Sequence, residues 1–124
     1  MIFPESLLRV ADNSGARLVR CIAAPRPFGR EGDRIVVSVA RCRPRSKVER
    51  GRLYSALLVQ CRTPSLRYSG HRIGFRSNRV VLLKKQENRR AEVTPLGTRI
   101  WRPVSLLLRR SGYTKLIILA PSVL

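Results

Sequence analysis

The chain has 124 residues, the length of one ordinary domain, and 44% of them are hydrophobic. This share is enough for a real core, which excludes a disordered tail. The 26 Lys and Arg residues against 7 Asp and Glu residues give a formal net charge of +19. A free globular domain gains only self-repulsion from such a charge. We therefore expect a polyanionic partner, with nucleic acid ahead of an anionic membrane surface.

The basic residues comprise 22 arginines and only 4 lysines. A guanidinium group is a planar fork that holds phosphate with two hydrogen bonds and stacks on bases. The balance therefore favours a folded nucleic-acid partner over a loose electrostatic attraction. Biased codon usage is an alternative cause of the Arg/Lys ratio, although it does not explain the net charge.

Short segments with a period of two and many β-branched residues predict strands along most of the chain. They are LLRV (7–10), ARLVRCI (16–22), RIVVSVARC (34–42), LYSALLVQC (53–61), HRIGF (71–75) and RVVLLKK (79–85). In the third of them, Ile35, Val37 and Val39 share one face. Five or six closely spaced strands in so small a chain predict a closed barrel, because closure removes the edges that invite aggregation.

The first two predicted strands are joined by the sequence DNSG, from Asp12 to Gly15. Asp at the first position and Gly at the fourth fit a type I turn, in which the Asp side chain accepts backbone N–H groups. A catalytic role for Asp12 would need a second carboxylate or a histidine nearby, and the sequence shows neither. We interpret this stretch as the turn that reverses strand one into strand two.

After Pro95 the sequence pattern changes from one typical of strands to one more typical of helices. Pro103 suits a first helical position, Arg109 and Arg110 suit a helix C-terminus, and Gly112 is a plausible stop. The apolar run in the tail YTKLIILAPSVL fits either a strand or a buried helical turn. The chain shows no internal repeat and no linker, so we expect a single domain over residues 1–124.

The sequence offers little for catalysis or metal binding. Cys21, Cys42 and Cys61 are odd in number and form no C-x-x-C pair, so we interpret them as small buried apolar residues. The acidic residues are scattered singly, whereas acid–base catalysis needs two carboxyls that converge. His71 lies in an expected exposed loop, where it either stacks on a base or is merely solvated. We expect no enzyme activity, no metal and no cofactor.

The basic residues concentrate in the connections between the predicted strands. Three basic runs occupy residues 43–52, 62–79 and 84–90, and a Pro/Gly-rich loop occupies residues 25–32. A single charged run is usually a solvated face, but several on one small domain favour a broad phosphate-binding surface. The candidate phosphate-binding residues are Arg43, Arg45, Lys47, Arg50 and Arg52, then Arg67, Arg72, Arg76 and Arg79, then Arg17 and Arg20.

Four motifs occur in an order that matches one known family. They are VADNSGAR (10–17), the stretch from Ala56 to Leu82 with Ser69-Gly70, Phe75 and Asn78, PLGTRI with PV (95–104), and LAPSVL (119–124). On these residues the chain resembles the universal large-subunit ribosomal protein fourteen family, in its bacterial and organellar form. Together the motifs extend over nearly the whole length.

The resemblance implies an all-β fold: a small five-stranded β-barrel of OB or SH3-like type with a projecting hairpin. It also implies a short C-terminal helical segment, at about residues 103–120. The implied function is structural: binding of large-subunit rRNA at the face toward the small subunit, with bridges to small-subunit rRNA. The implied neighbours are ribosomal proteins three and nineteen. Thr98, Arg99 and Lys115 would dock a ribosome silencing factor.

The chain also departs from the family pattern. The loop at residues 23–33 is shorter than usual, which indicates a truncated projecting ribbon. The family's Phe-Gly becomes Trp101-Arg102, and the loop at residues 84–94 is longer and more basic. Such drift with the arginine bias indicates a mitochondrial ribosome, with a bacterial cytoplasm or a plastid as alternatives.

Two other functions are weighed against the ribosomal one. A free OB-like single-stranded nucleic-acid-binding protein needs exposed aromatic side chains as stacking platforms, and the chain has few aromatics. A small nuclease needs a metal-binding carboxylate cluster, which the sequence does not contain.

Overall fold

The structure is a computed structural model that describes residues 1–86 and 92–124. Its described part is mostly strand, with two short helices. The elements are β1 (Leu7–Val10), β2 (Ala16–Ala23), β3 (Arg34–Cys42), β4 (Leu53–Gln60), β5 (Ser65–Leu66), β6 (Arg72–Ile73), β7 (Arg79–Leu82), α1 (Leu107–Arg110) and α2 (Thr114–Leu119). Within these ranges, neither helix has the length and hydrophobicity that a membrane-spanning helix needs.

Five strands close into a barrel in the order β1-β2-β3-β4-β7. Every neighbouring pair is antiparallel except β1 and β7, which run parallel and close the barrel. At this parallel seam Arg9 lies opposite Arg79 and Val10 lies opposite Val80. The predicted all-β, five-stranded barrel is therefore confirmed.

The barrel interior is filled by the alternating apolar residues of the strands. Ile35, Val37 and Val39 of β3 are all buried inside it, as their period of two predicts. Strand β4 differs, because its second half is buried on both faces. Leu58 points into the barrel core, whereas Leu57 belongs to a second apolar cluster outside it.

The C-terminal segment covers this outer face of β4 and β7. Leu108 of α1 and Leu116 of α2 are fully buried in the second cluster, together with Leu57 and Val81. The expected short C-terminal helical segment is therefore present. Arg109 and Arg110 lie in the last turn of α1, and Gly112, with φ +80°, follows its end.

The expectation that Pro103 opens a helix is wrong, because α1 begins at Leu107. Residues 103–105 are instead held extended against the rest of the fold. The backbone carbonyl of Pro103 accepts a hydrogen bond from the side-chain amide of Gln60, and Val104 pairs with Val123. Ser105 N–H donates to the carbonyl of Val59 at 3.1 Å. These contacts fix the chain in a conformation that delays the helix.

One predicted strand lies outside the barrel. The segment 71–75 contributes only the two residues of β6, which pair with β5 in a separate hairpin. It is excluded from the barrel because β4 pairs directly with β7, with Ala56 opposite Leu82. The sequence indicated a truncated ribbon at residues 23–33. Ala23 ends β2, and residues 24–33 form no strand and make one bridge, between Ile2 and Gly29.

The turn between β1 and β2 is confirmed as one organised by its leading aspartate. Asp12 is buried, and one carboxylate oxygen accepts the backbone N–H of Ser14 at 2.9 Å as well as the Ser14 hydroxyl. The other oxygen accepts the backbone N–H of Leu82 at 2.9 Å. This turn therefore fastens the start of the chain to the last barrel strand.

Candidate nucleic-acid interface

A row of arginines crosses the outer surface of the barrel. Arg9 on β1 lies opposite Arg79 on β7 and, on its other side, opposite Leu18 on β2. Leu18 lies opposite Arg41 on β3. Cross-strand partners on one face are about 4.5–5.5 Å apart, so these side chains extend side by side. The row therefore concentrates positive charge where four strands meet.

The row lies on the outward face of the barrel, because side chains along a strand alternate between its two faces. Leu8, Val19 and Val80 are chain neighbours of residues in the row, and they are fully buried in the barrel core. A bulge in β2 adds Arg17 to the row, because β2 advances two residues from Ala16 to Leu18 while β3 advances one. A bulge re-aims the extra side chain, and Arg17 is exposed.

A cleft of about 530 Å³ lies over this row. Its walls include the β1–β2 turn and Trp101. We call it the arginine cleft, after the six arginines that line it: Arg9, Arg17, Arg41, Arg43, Arg79 and Arg102.

None of these six arginines forms an ion pair within residues 1–86 and 92–124. The one acid on the cleft wall is Asp12, whose carboxylate already accepts hydrogen bonds from Ser14 and Leu82. The positive charge of the cleft is therefore largely uncompensated by the protein itself.

The pKa of Arg79 reflects the crowding of positive charges in the cleft. Burial lowers the pKa of its guanidinium, and the neighbouring charges of Arg102 and Arg9 lower it further. Its Nε donates to the Ser77 hydroxyl at 3.0 Å, which fixes the head of the side chain. A group whose charged form is disfavoured by like charges is stabilised when an anion binds among them. The cleft thus suits a phosphate group or several phosphates.

The pKa of the Asp12 carboxyl is raised, whereas that of Arg79 is lowered. Burial raises the pKa of its carboxyl above the ordinary 3.8, while the hydrogen bonds from Ser14 and Leu82 and the charge of Lys47 lower it. The desolvation is the largest contribution, as expected for a carboxylate enclosed by the turn and by β7.

Two segments that are distant in sequence build the wall that carries Trp101. Asn13 Oδ1 accepts the backbone N–H groups of Thr98 and Arg99 at 2.8 and 3.1 Å, and Asn13 Nδ2 donates to the Thr98 hydroxyl. Trp101 N–H donates to the carbonyl of Ala11 at 3.0 Å. Gly97 is required here, because a Cβ on it would lie 2.7 Å from Asn13 Oδ1.

The first predicted basic run, residues 43–52, packs against the same turn. Arg43 N–H donates to the Gly15 carbonyl at 2.8 Å, and Lys47 N–H donates to the Ser14 carbonyl at 3.2 Å. Arg43 lines the cleft, and the charge of Lys47 reaches Asp12. Of the remaining candidates in this run, Arg45 and Arg50 are exposed, and Arg52 pairs with Glu49 at 2.9 Å.

The second predicted group is divided by the structure. Arg79 lines the cleft, whereas Arg72 and Arg76 are exposed on and after the β5–β6 hairpin and do not line it. Arg67 faces the C-terminal segment, where one terminal nitrogen donates to the Ser105 hydroxyl at 3.2 Å and the Leu124 carbonyl at 2.9 Å. Arg67 therefore holds the hairpin against the C-terminus.

The third predicted group, Arg17 and Arg20, and the implied protein-docking residues do not lie together on the surface. Arg20 is exposed on β2 and pairs with Glu5 at 3.6 Å, outside the cleft. Thr98 and Arg99 lie in the loop held by Asn13, whereas Lys115 lies on α2 and pairs with Glu92 at 2.8 Å. No hydrogen bond or ion pair in the described ranges joins Lys115 to the Thr98 loop.

Sequence reasoning missed Arg9, Arg41, Arg102 and Trp101. The signal for Arg9 was available, because it alternates with the buried Leu8 in its strand. Arg41 is in phase with the buried Val39, and it faces outward because β3 advances two residues from Val39 to Arg41 while β2 advances one. The candidate basic loop at residues 84–94 falls partly outside the described residues, and of it Lys84 and Lys85 are exposed.

The described ranges hold no group of three or more His, Cys, Asp or Glu residues that could bind a metal. Exposed aromatic side chains are present at Phe3, Tyr68 and Trp101. His71 is exposed and contacts the hydroxyl of Ser69.

Comparison with protein families gives a match over the full length of the chain. The family described as ribosomal protein L14p/L23e matches residues 1–124, the whole chain.

Proposed function

The chain belongs to the ribosomal protein L14p/L23e family, and we propose that its arginine cleft holds the phosphate backbone of large-subunit ribosomal RNA. Family membership makes the chain a structural constituent of the large ribosomal subunit rather than an enzyme. It also implies that the chain lies in the ribosome, associated with rRNA and with other ribosomal proteins.

The observation that carries the proposed cleft contact is the set of six unpaired arginines on one rigid surface. Arginine forks bind phosphate with paired hydrogen bonds, and rows on a sheet hold several of them at fixed spacing. Contacts to the backbone position a protein on RNA but do not read its sequence. Recognition of one rRNA site therefore comes from the shape of this surface together with its basic loops.

The basic loops act as the outer arms of a clamp around the cleft. The run that contains Arg43 and Lys47 is anchored to the β1–β2 turn, which supports a fixed position for it. The exposed Arg72 and Arg76 extend the basic surface to the hairpin and the loop after it. In this proposal the loops bind separate rRNA segments and hold them against the barrel.

The finer placement in the ribosome is supported by the resemblance of the sequence motifs. On that basis we place the chain at the intersubunit face, in a bridge to small-subunit rRNA and beside ribosomal proteins three and nineteen. Thr98, Arg99 and Lys115 are the proposed contacts for a silencing factor. The arginine bias supports a mitochondrial ribosome.

The test is binding of the purified full chain to large-subunit rRNA fragments over a salt series. If about 6–10 side chains contact phosphate, the log–log slope of affinity against salt is about −4 to −9. Replacing Arg9 and Arg41 by Gln should reduce its magnitude by about 1.4–1.8, since each lost phosphate contact removes about 0.7–0.9.

The matched control replaces Arg26 and Arg109, which are exposed and do not line the cleft. It removes the same charge, so the proposal expects a slope close to that of the unchanged protein. Equal losses in the two double variants would show that net charge alone drives binding, and would contradict a role for the cleft.

A further inference from the structure

Trp101 presents a large apolar surface to solvent. Its side chain is 63% exposed, although tryptophan is normally among the more buried residues. Its backbone is fixed by the hydrogen bond to Ala11, and the preceding residue, Ile100, is buried and pairs with Asp12. The indole is therefore held on a rigid wall rather than on a loose loop.

The surroundings of Trp101 distinguish it from the other exposed aromatics. The Tyr68 ring is already covered by the Arg110 guanidinium at 4.5 Å, and the Phe3 ring lies 6.0 Å from that of Phe28. In the described ranges no aromatic ring or guanidinium stacks on the Trp101 indole. Its π-face is thus available within the arginine cleft.

The charge around Trp101 selects the kind of partner. It lines the same cleft as Arg9, Arg79 and Arg102, whose charges act on one another. A flat apolar face among phosphate-binding groups matches a nucleotide, which carries a flat base and an adjacent phosphate. A base in a duplex has both faces covered by its neighbours, so only an unpaired base offers a face to Trp101.

We propose that Trp101 stacks on an unpaired base of the bound RNA while the arginines of the cleft hold the adjacent phosphates. This inference rests on the proposed function and adds a single-stranded or bulged element to the RNA that is recognised. Stacking accepts any base, so it selects for an unpaired nucleotide rather than for a sequence.

Trp101 is the only tryptophan in the chain, so its fluorescence reports this site directly. The full chain is titrated with a short single-stranded oligoadenylate and with an oligonucleotide of the same length and charge that lacks bases. Binding of each is followed separately by the anisotropy of a label on the oligonucleotide. The proposal expects oligoadenylate to quench the tryptophan emission and the abasic strand to bind without quenching it.

Substitution provides the second measurement. Trp101→Leu should weaken oligoadenylate binding by about 5- to 150-fold, the range for loss of one stacking aromatic, and should leave binding of the abasic strand unaffected. Trp101→Phe should retain most of the affinity because a ring remains. Tyr68→Leu is the matched control on another exposed aromatic and should leave the affinity for both strands unchanged.

The outcomes separate this inference from the proposed function. If both strands bind with a steep salt dependence but quench the tryptophan emission equally, or not at all, the stacking is overturned. The phosphate-binding cleft then remains supported. An equal effect of Trp101→Leu on both strands also overturns it. Failure of both strands to bind at low salt overturns both proposals.

Discussion

The carboxylate of Asp12 accepts the backbone N–H of Leu82 at 2.9 Å, although the two residues are 70 positions apart. This bond continues the parallel seam at which Val10 lies opposite Val80 and Ala11 N–H donates to the Val80 carbonyl. The same carboxylate organises the turn that leads into β2. Asp12 therefore closes the barrel at the point where the wall of the arginine cleft begins.

Replacing Asp12 by Ala should destabilise the protein by about 2–5 kcal/mol, because it leaves the buried N–H groups of Ser14 and Leu82 without their acceptor. Urea denaturation followed by circular dichroism measures this loss. Asp33→Ala is the control, since Asp33 accepts one N–H, from Arg30, at an exposed site. That change should cost less than about 1 kcal/mol, and equal losses would contradict the role given to Asp12.

The pH dependence of stability carries a second signature of Asp12. Burial raises the pKa of its carboxyl above 3.8, so the folded chain binds this proton more tightly than the unfolded chain does. The free energy of unfolding should therefore fall as pH rises from 3.8 through the folded-state pKa, and the contribution should be intact below 3.8. Asp12→Asn cannot ionise and should lack this fall. Parallel pH profiles for the two proteins would contradict the assignment.

Gly15 is the position at which the turn tolerates least change. Its φ is +100°, and a Cβ there would lie 2.3 Å from the Cβ of Ser46. Gly15→Ala combines backbone strain with a clash against the basic run, so we expect a loss of about 2–5 kcal/mol in denaturant unfolding.

Gly51 is the matched control for this substitution, with φ +82° and no atom within 4 Å of an added Cβ. Gly51→Ala introduces the backbone strain without a clash and should lower the free energy of unfolding by about 1–2 kcal/mol. A larger loss at Gly51 than at Gly15 would be inconsistent with the close packing of the turn on residue 46.

The three cysteines should differ in reactivity. Burial raises the pKa of the Cys61 thiol to about 11 and also raises that of Cys21, so neither forms much thiolate near neutral pH. Cys42 is only half-buried. Iodoacetamide at neutral pH, read by peptide mass spectrometry, should label Cys42 first and the other two only after unfolding. Rapid labelling of Cys61 in the folded chain would contradict its placement.

Local signals were enough to predict most of the barrel. The bounds of β1 and β3 match the predicted segments, because alternation and flanking turns are both local properties of the chain. Burial on both faces of β4 depends on the C-terminal helices, which lie far along the sequence. The parallel pairing of β1 with β7 is equally non-local and leaves no pattern in either strand.

Only part of the candidate interface could be predicted, because the rest also depends on non-local strand pairing. The predicted binding residues included Arg17, Arg43 and Arg79, which the structure brings together. The row that joins Arg9 to Arg41 exists only because four strands are paired in one register. Register is set by the whole barrel, so no single stretch of sequence displays the row.

The most direct test of the central claim is sedimentation of this chain in a native lysate over a salt series. We predict that the chain travels with the large ribosomal subunit and stays bound at moderate salt, because many arginine contacts must be lost together. A chain that runs free, or leaves the subunit at low salt, would contradict a structural place in the ribosome.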